Sequence, residues 1–315
     1  MQTKGLRLHE SGILEERAKQ AYDILSDCTL CPRRCGVNRL EGEIGRCGTA
    51  EHAVIASYNP HFGEEQPLVG SHGSGTIFLS GCSLGCCFCQ NFDISHNGSS
   101  GHAVDAESFA AVMLDLQSRG CHNINFVTPS HVVPQIMAAL TPAYENGLTL
   151  PLVYNCSGYD SLSTLELLDG LIDVYMPDFK FWEKGSARKY ADAADYPEKA
   201  RLAVREMHRQ VGDLHIYRSG IATHWLLIRH LLMPGGLEET MAILNFIASK
   251  ISTHTYVNIM DQYRPCGTIS AHEELHSSIS PKHYSEAVGY AEKIGLQRLD
   301  RRELSALLKR LGISP

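Results

Sequence analysis

The sequence predicts an α/β fold in which strands and helices alternate into a partial (β/α)6 TIM-like barrel, open on one side. Three observations predict it. Six apolar, strand-like segments recur at 76–81, 123–127, 151–156, 172–179, 225–233 and 255–262. Each is followed by a turn and a helical pattern, the alternation that gives a parallel sheet with right-handed crossovers. Six such units are two short of the eight that close a barrel, so the sheet curves and leaves a lateral opening suited to a large substrate.

The intervening helices are legible one by one. Over 105–119, Asp105 caps the start, Phe109, Val112, Met113 and Leu116 form an i, i+3, i+4, i+7 stripe, and Gly120 ends it. Pro197 opens and Gly212 closes the next, with Ala200, Val204, Met207 and Val211 on one face. Segment 238–251 repeats the stripe through Met241, Leu244, Ala248 and Ile251. The barrel thus spans 71–266. An N-terminal cysteine-rich extension covers 1–70, and a C-terminal helical extension covers 267–315, with helices near 281–293 and 301–311.

Composition narrows the function classes. A chain of 315 residues, 43% hydrophobic and 20% charged, can bury a sizeable core. Its net charge of -7, with no run of lysine or arginine, argues against a nucleic-acid partner. The first residues lack the apolar run of a secretory signal and no window is apolar for long enough to span a bilayer, so the expected location is cytoplasmic, with no membrane partner. Eleven cysteines in that compartment read as metal ligands or reduced thiols rather than disulfides. No glycine-rich nucleotide loop, serine nucleophile elbow or H-E-x-x-H motif is present.

Cys82, Cys86 and Cys89 form a C-x3-C-x2-C run directly after the strand-like Thr76–Ser80. A [4Fe-4S] cluster held wholly by protein needs four thiolates, so three on one tight loop leave one iron free for chemistry. A zinc loop or core thiols are the plainer readings. Cys87, inside the run, is read as packing beneath the loop. The spacing, with Phe88 before the third cysteine and a strand in front, resembles the radical S-adenosylmethionine superfamily. The resemblance implies that the open iron chelates the amino and carboxylate groups of S-adenosylmethionine (AdoMet). An electron from the reduced cluster then cleaves the S–C5′ bond, and the 5′-deoxyadenosyl radical abstracts hydrogen.

A second group, Cys28, Cys31, Cys35 and Cys47, has the spacing C-x2-C-x3-C-x11-C. Four thiolates close a tetrahedral site, which suits zinc or a complete iron-sulfur cluster, and the spacing does not choose between them. Glycines 36, 42, 45 and 48 permit tight turns around an ion, and Arg33, Arg34 and Arg46 are placed to offset thiolate charge. Cys121, Cys156 and Cys266 stand alone and read as small buried side chains.

In a parallel barrel, reactive groups lie at the C-terminal ends of strands. Asp178 and Lys180, two apart at the end of the fourth strand, project to one side. This Asp-x-Lys is similar to a motif in activating enzymes of the pyruvate formate-lyase activating enzyme type, which implies contact with the methionyl end of the cofactor. Arg229, before Met233-Pro234-Gly235, resembles that family's fifth-strand arginine, and Cys89-Gln90-Asn91 extends the likeness and implies Asn91 as a further cofactor contact. Gly63–Leu68 and Gln262–Pro265 look like those of an uncharacterised subgroup that also bears the cysteine quartet. Many relatives carry Gly-Gly-Glu after the second strand; here Phe126–His131 supplies no carboxylate, leaving Thr128 and Ser130 to offer oxygens or Ser130 to cap the next helix.

The resemblance implies a glycyl radical enzyme as the partner, with another protein, a peptide or a small molecule as the open alternatives. It also implies a flavodoxin- or ferredoxin-type reductant. The rival reading is an iron-sulfur electron-transfer or metal-binding module without turnover.

Overall fold

The structure, a computed structural model, describes residues 3–214 and 224–300. Helices α1 (Lys4–Glu10) and α2 (Ile13–Asp23) precede strand β1 (Ala53–His61). A short α3 (Gln66–Val69) leads into β2 (Ser74–Leu79), and a short α4 (Phe92–Ser95) into β3 (His102–Val104). From there the elements alternate through α5 (Ala106–Ser118), β4 (Ile124–Val127), α6 (Val133–Glu145), β5 (Leu152–Cys156), α7 (Leu162–Leu167) and β6 (Val174–Pro177). The chain goes on through α8 (Lys184–Ala191), α9 (Tyr196–Val211), β7 (Trp225–Leu231), α10 (Leu237–Phe246), β8 (Tyr256–Met260), α11 (Pro281–Lys293) and β9 (Arg298–Leu299). The helix expected near 301–311 lies outside the described residues.

Among the described residues, nine strands form one open sheet in the order β3-β1-β2-β4-β5-β6-β7-β8-β9. The pairings from β2 through β9 are parallel, and β1 is antiparallel to both β2 and β3. The six expected strands are β2, β4, β5, β6, β7 and β8. Three more join them, and β1 does so from within the segment expected as an extension. Pro60 disguises β1, because proline reads as a strand breaker. It is tolerated because β3 pairs only with Ala53–Ile55, so Pro60 lies where one side of β1 is a free edge and no ladder bond is lost.

Side chains alternate across the sheet with period two. Ile124, Phe126, Leu152, Tyr154, Tyr175, Leu226 and Ile228 join the main core with helix residues such as Phe109, Met113, Leu140 and Val204. Val153, Val174, Met176, Trp225 and Leu227 form a second, smaller cluster with Leu68. Asp178 and Arg229 continue that second side by parity. Helix α5 begins as expected, with Asp105 accepting from the Ser108 N–H at 2.8 Å, and α9 ends at Gly212, whose φ of 67° is left-handed. The helix expected over 238–251 starts as α10 and finishes in a π turn at Ile247–Ile251. No helix among the described residues is long and apolar enough to cross a membrane.

One buried carboxyl gives the fold a pH signature. Asp173 accepts from the Leu152 N–H at 2.9 Å, and burial pushes its pKa from 3.8 up to about 7 against that hydrogen bond and Lys4. A folded value above the unfolded one means that stability is fully present below about pH 4 and is lost as pH rises toward 7, by on the order of a few kcal/mol. Asp173→Asn keeps an acceptor for Leu152 without titrating. Its denaturation midpoint should exceed the wild type's at pH 8 and lack this part of the pH slope.

Candidate active site

Beyond β2 the chain turns through Ser80 and Gly81 into the loop carrying Cys82, Cys86 and Cys89. Gly81 has φ 86°, and a Cβ there would stand 2.3 Å from the Cys47 carbonyl oxygen. Within the loop, the Leu84 N–H donates to Cys82 Sγ at 3.4 Å and the Cys89 N–H to the Cys86 carbonyl at 3.2 Å. The Ser95 hydroxyl of α4 donates to Cys89 Sγ at 3.2 Å. From outside, Arg33 donates to the carbonyls of Ser83 (2.9 Å) and Leu84 (3.0 Å), and Tyr190 accepts from the Cys87 N–H at 2.9 Å. Gly81→Ala should lower the melting temperature, since left-handed backbone alone costs about 1–2 kcal/mol before the clash with Cys47. An unchanged melting temperature in that variant would show that the close approach is dispensable.

The three thiols act on one another. Burial pushes Cys86 up, Lys180 pulls it back, and Cys82 and Cys89 push it further; burial likewise raises Cys82. Among the described residues, no three His, Cys, Asp or Glu side chains are gathered closely enough to hold a single metal ion. Three thiols on one loop match a cubane that keeps one iron free of protein ligands. The donor set suits it as well: three soft sulfurs, two of them receiving hydrogen bonds.

Facing the loop, Lys180 Nζ pairs with Asp178 Oδ2 at 2.5 Å. Burial alone would lower the ammonium's pKa, but Asp178, Cys86 and Cys89 raise it above the usual lysine range. Tyr196 fixes the backbone here, its hydroxyl accepting from the Lys180 N–H at 2.8 Å and lying 2.9 Å from the carbonyls of Ser157 and Asp178. The next strand meets this one where Asp178 and Arg229 bridge. Arg229 is in turn held by two glutamates. Its Nε donates to Glu65 Oε1 at 2.8 Å and its Nη2 to Glu65 Oε2 at 2.5 Å and to Glu64 Oε2. Asn258 and Asn125 donate to the same pair, at 2.6 and 3.2 Å. Sequence reasoning gave these glutamates no role.

Asn91 is exposed, and its carbonyl accepts the Ser95 N–H at 2.9 Å in the first turn of α4. The structure gives its side chain no partner at the Asp178–Lys180 pair. After β4, Thr128 has a left-handed φ of 63°, an outlier for a β-branched residue. Ser130 does not cap α6, whose cap residue is Val132 without a side-chain bond; its side chain lies near Tyr154 and Asp160. Two histidines near the strand ends tie loops together. His131 Nε2 donates to the Ser80 carbonyl at 2.8 Å, with burial pushing its pKa down to about 4, and His230 Nδ1 donates to the Phe179 carbonyl at 2.6 Å.

A cavity of about 90 Å³ opens beside Lys180, lined by Phe181, Ser186, Tyr190, His230, Met233 and Glu239 among others. A second, about 10 Å³, is lined by all four cysteines of the quartet together with Leu30, Val37 and Arg39. Cys28 and Cys31 are buried, Cys47 is half-buried and Cys35 exposed.

No protein-family model matches the chain. An uncharacterised protein of Methanocaldococcus jannaschii is 29% identical over 290 residues, which cover 90% of this chain and 80% of that one. The solved structure of native anSMEcpe with bound AdoMet aligns with 75% of this chain and 65% of its own length, at 12% identity and a TM-score of 0.46. This chain therefore spans a little under two thirds of that structure. A likeness so loose transfers neither chemistry nor residues.

Proposed function

We propose that this protein is a radical S-adenosylmethionine enzyme, with a [4Fe-4S] cluster on Cys82, Cys86 and Cys89 and AdoMet bound against Asp178, Lys180 and Arg229. One observation carries the reading: the C-x3-C-x2-C loop leaves the end of β2 opposite the Asp178–Lys180 pair at the end of β6. Three thiolates leave one iron of a cubane open, and the facing pair offers a carboxylate and an ammonium to a ligand that itself carries an amino group and a carboxylate. When bound, the cluster supplies the electron for reductive cleavage of AdoMet, whose measurable products are methionine and 5′-deoxyadenosine.

The chain's own groups hold and tune. The Leu84 N–H and Ser95 hydroxyl donate to thiolate sulfur, and such bonds set a cluster's potential. Phe88, Phe181 and Tyr190 pack edge-on or stacked around the loop and exclude water. Glu64 and Glu65 hold Arg229 in place. The cavity beside Lys180 receives the part of the ligand or substrate that the loop does not.

The resemblance to activating enzymes makes a glycyl radical enzyme the first substrate to test, ahead of another protein, a peptide or a small molecule, with a flavodoxin- or ferredoxin-type reductant. The test is anaerobic reconstitution with iron and sulfide, reduction with dithionite and addition of AdoMet. We expect 5′-deoxyadenosine and a changed electron paramagnetic resonance signal of the reduced cluster. A cluster that forms yet shows neither response would return the protein to the electron-transfer reading.

A further inference from the structure

We propose that Cys28, Cys31, Cys35 and Cys47 bind a single divalent ion of the zinc class, and that this tetrathiolate site fixes the position of the Cys82–Cys89 loop. The four thiols line one cavity, and four thiolates are the complete tetrahedral set that a zinc-class ion takes. As placed, the thiols do not converge on one point. The backbone turns that carry them are set by main-chain hydrogen bonds. The Cys28 N–H donates to the Val37 carbonyl at 3.1 Å, Gly36 to Cys28 at 3.1 Å, Arg34 to Cys31 at 3.0 Å and Gly48 to Gly45 at 3.1 Å. A Cβ on Gly45 would stand 2.8 Å from Cys35 Sγ, and the Arg46 N–H donates to that sulfur at 3.5 Å.

Charge supplies a second, independent observation. Arg39 is 1% exposed and touches the quartet, with Nη1 4.0 Å from Cys28 Sγ. Its firm hydrogen bonds go to the carbonyls of Ala50 (2.9 Å) and His131 (2.8 Å), none reaches a carboxylate, and Nη2 has no hydrogen-bond partner. A buried guanidinium without a carboxylate partner is an uncompensated charge, which proteins avoid. Four thiolates around one divalent ion carry a net charge of about −2, and that anion is the partner Arg39 lacks.

The quartet also grips the other loop through backbone. Arg33, between Cys31 and Cys35, donates to the carbonyls of Ser83, Leu84, Ala191 and Asp192. The Cys47 carbonyl occupies the place a Gly81 side chain would take, and the Gly48 carbonyl does the same at Gly98. Ordering residues 28–48 around an ion therefore orders 81–85.

The ion site stands independently of the function proposed above, whereas the meaning of the loop contact rests on it. The test is metal content of the full-length C82A/C86A/C89A chain. About one zinc per chain and no sulfide are expected, and adding Cys28→Ser and Cys31→Ser should remove the zinc. No metal in the triple variant, or iron with sulfide in place of zinc, overturns the proposal. Since quartet variants can fail to fold, Arg33→Ala supplies the second arm. It should keep its zinc while amide exchange across 82–90 quickens roughly tenfold, with exchange in α6 unchanged. Unaltered exchange at 82–90 overturns the coupling. Zinc in the triple variant alongside a wild type that makes no 5′-deoxyadenosine would sink the functional reading and leave the ion site standing.

Discussion

Cys86→Ala is expected to bring 5′-deoxyadenosine formation down to the no-enzyme background and to prevent the cluster from assembling. Cys86 is buried, lies on the loop between its two partners, and faces Lys180, so its loss removes one of the three sulfurs proposed to hold the cluster. Magnitudes separate a ligand from its supports. Loss of a group that merely orients a ligand costs about 10- to 100-fold in metal affinity or activity, and Ser95→Ala, which removes the hydroxyl donating to Cys89 Sγ, should fall in that range. Loss of one of three thiolates should exceed it. Cys87→Ala is the control, because its backbone is engaged by Tyr190 and Thr268 while its thiol is assigned no iron. If Cys87→Ala loses as much iron as Cys86→Ala, the ligand set is wrong.

Legibility in the sequence followed how local the physics was. Helices α5 and α9 could be read because their caps and stripes are written within a dozen or so residues. The start of helix α6 could not, since Ser130 makes no cap there and the helix, buried along most of its length, begins after Val132. Strands β3 and β9 are too short to show a period. In the site, the cysteine spacing and the i, i+2 relation of Asp178 and Lys180 are local and were visible. The Glu65–Arg229 pair spans 164 positions, and adjacent glutamates ordinarily mark a solvated surface, so nothing near either residue announced the other. Arg33 was read as charge compensation for thiolates, yet its guanidinium is spent on four backbone carbonyls, and Arg39, which the sequence did not single out, lines the thiol cavity together with Arg46. Arginine content around a cysteine cluster is legible; which arginine turns inward depends on tertiary packing.

Glu65→Gln is expected to destabilise the fold by about 3 kcal/mol, the lower end of what removing one partner from a buried ion pair costs. Glu65 is fully buried and makes two bonds to Arg229 and one to Asn258. Glutamine keeps an acceptor but leaves Arg229 only Glu64 as a carboxylate, which is why the lower end applies. The cost arises from stranding a charge rather than from the worth of the pair. Replacing Glu65 and Arg229 together with leucine should therefore be less damaging than Glu65→Leu alone, and a double-mutant cycle in denaturant measures that coupling. The pH profile gives a second readout with a definite sign. Burial raises the Glu65 pKa, but the charge of Arg229 and the hydrogen bonds more than offset it, leaving the value below the ordinary 4.5. A folded value below the unfolded one means the contribution is present above about pH 4.5 and is lost as pH falls through the folded pKa. Wild type should lose stability on acidification below pH 4.5, and Glu65→Gln should be flatter there. If the two profiles run parallel below pH 4.5, the pair does not anchor Arg229, and its place beside Asp178 must be set by the strand pairing of β6 and β7 alone.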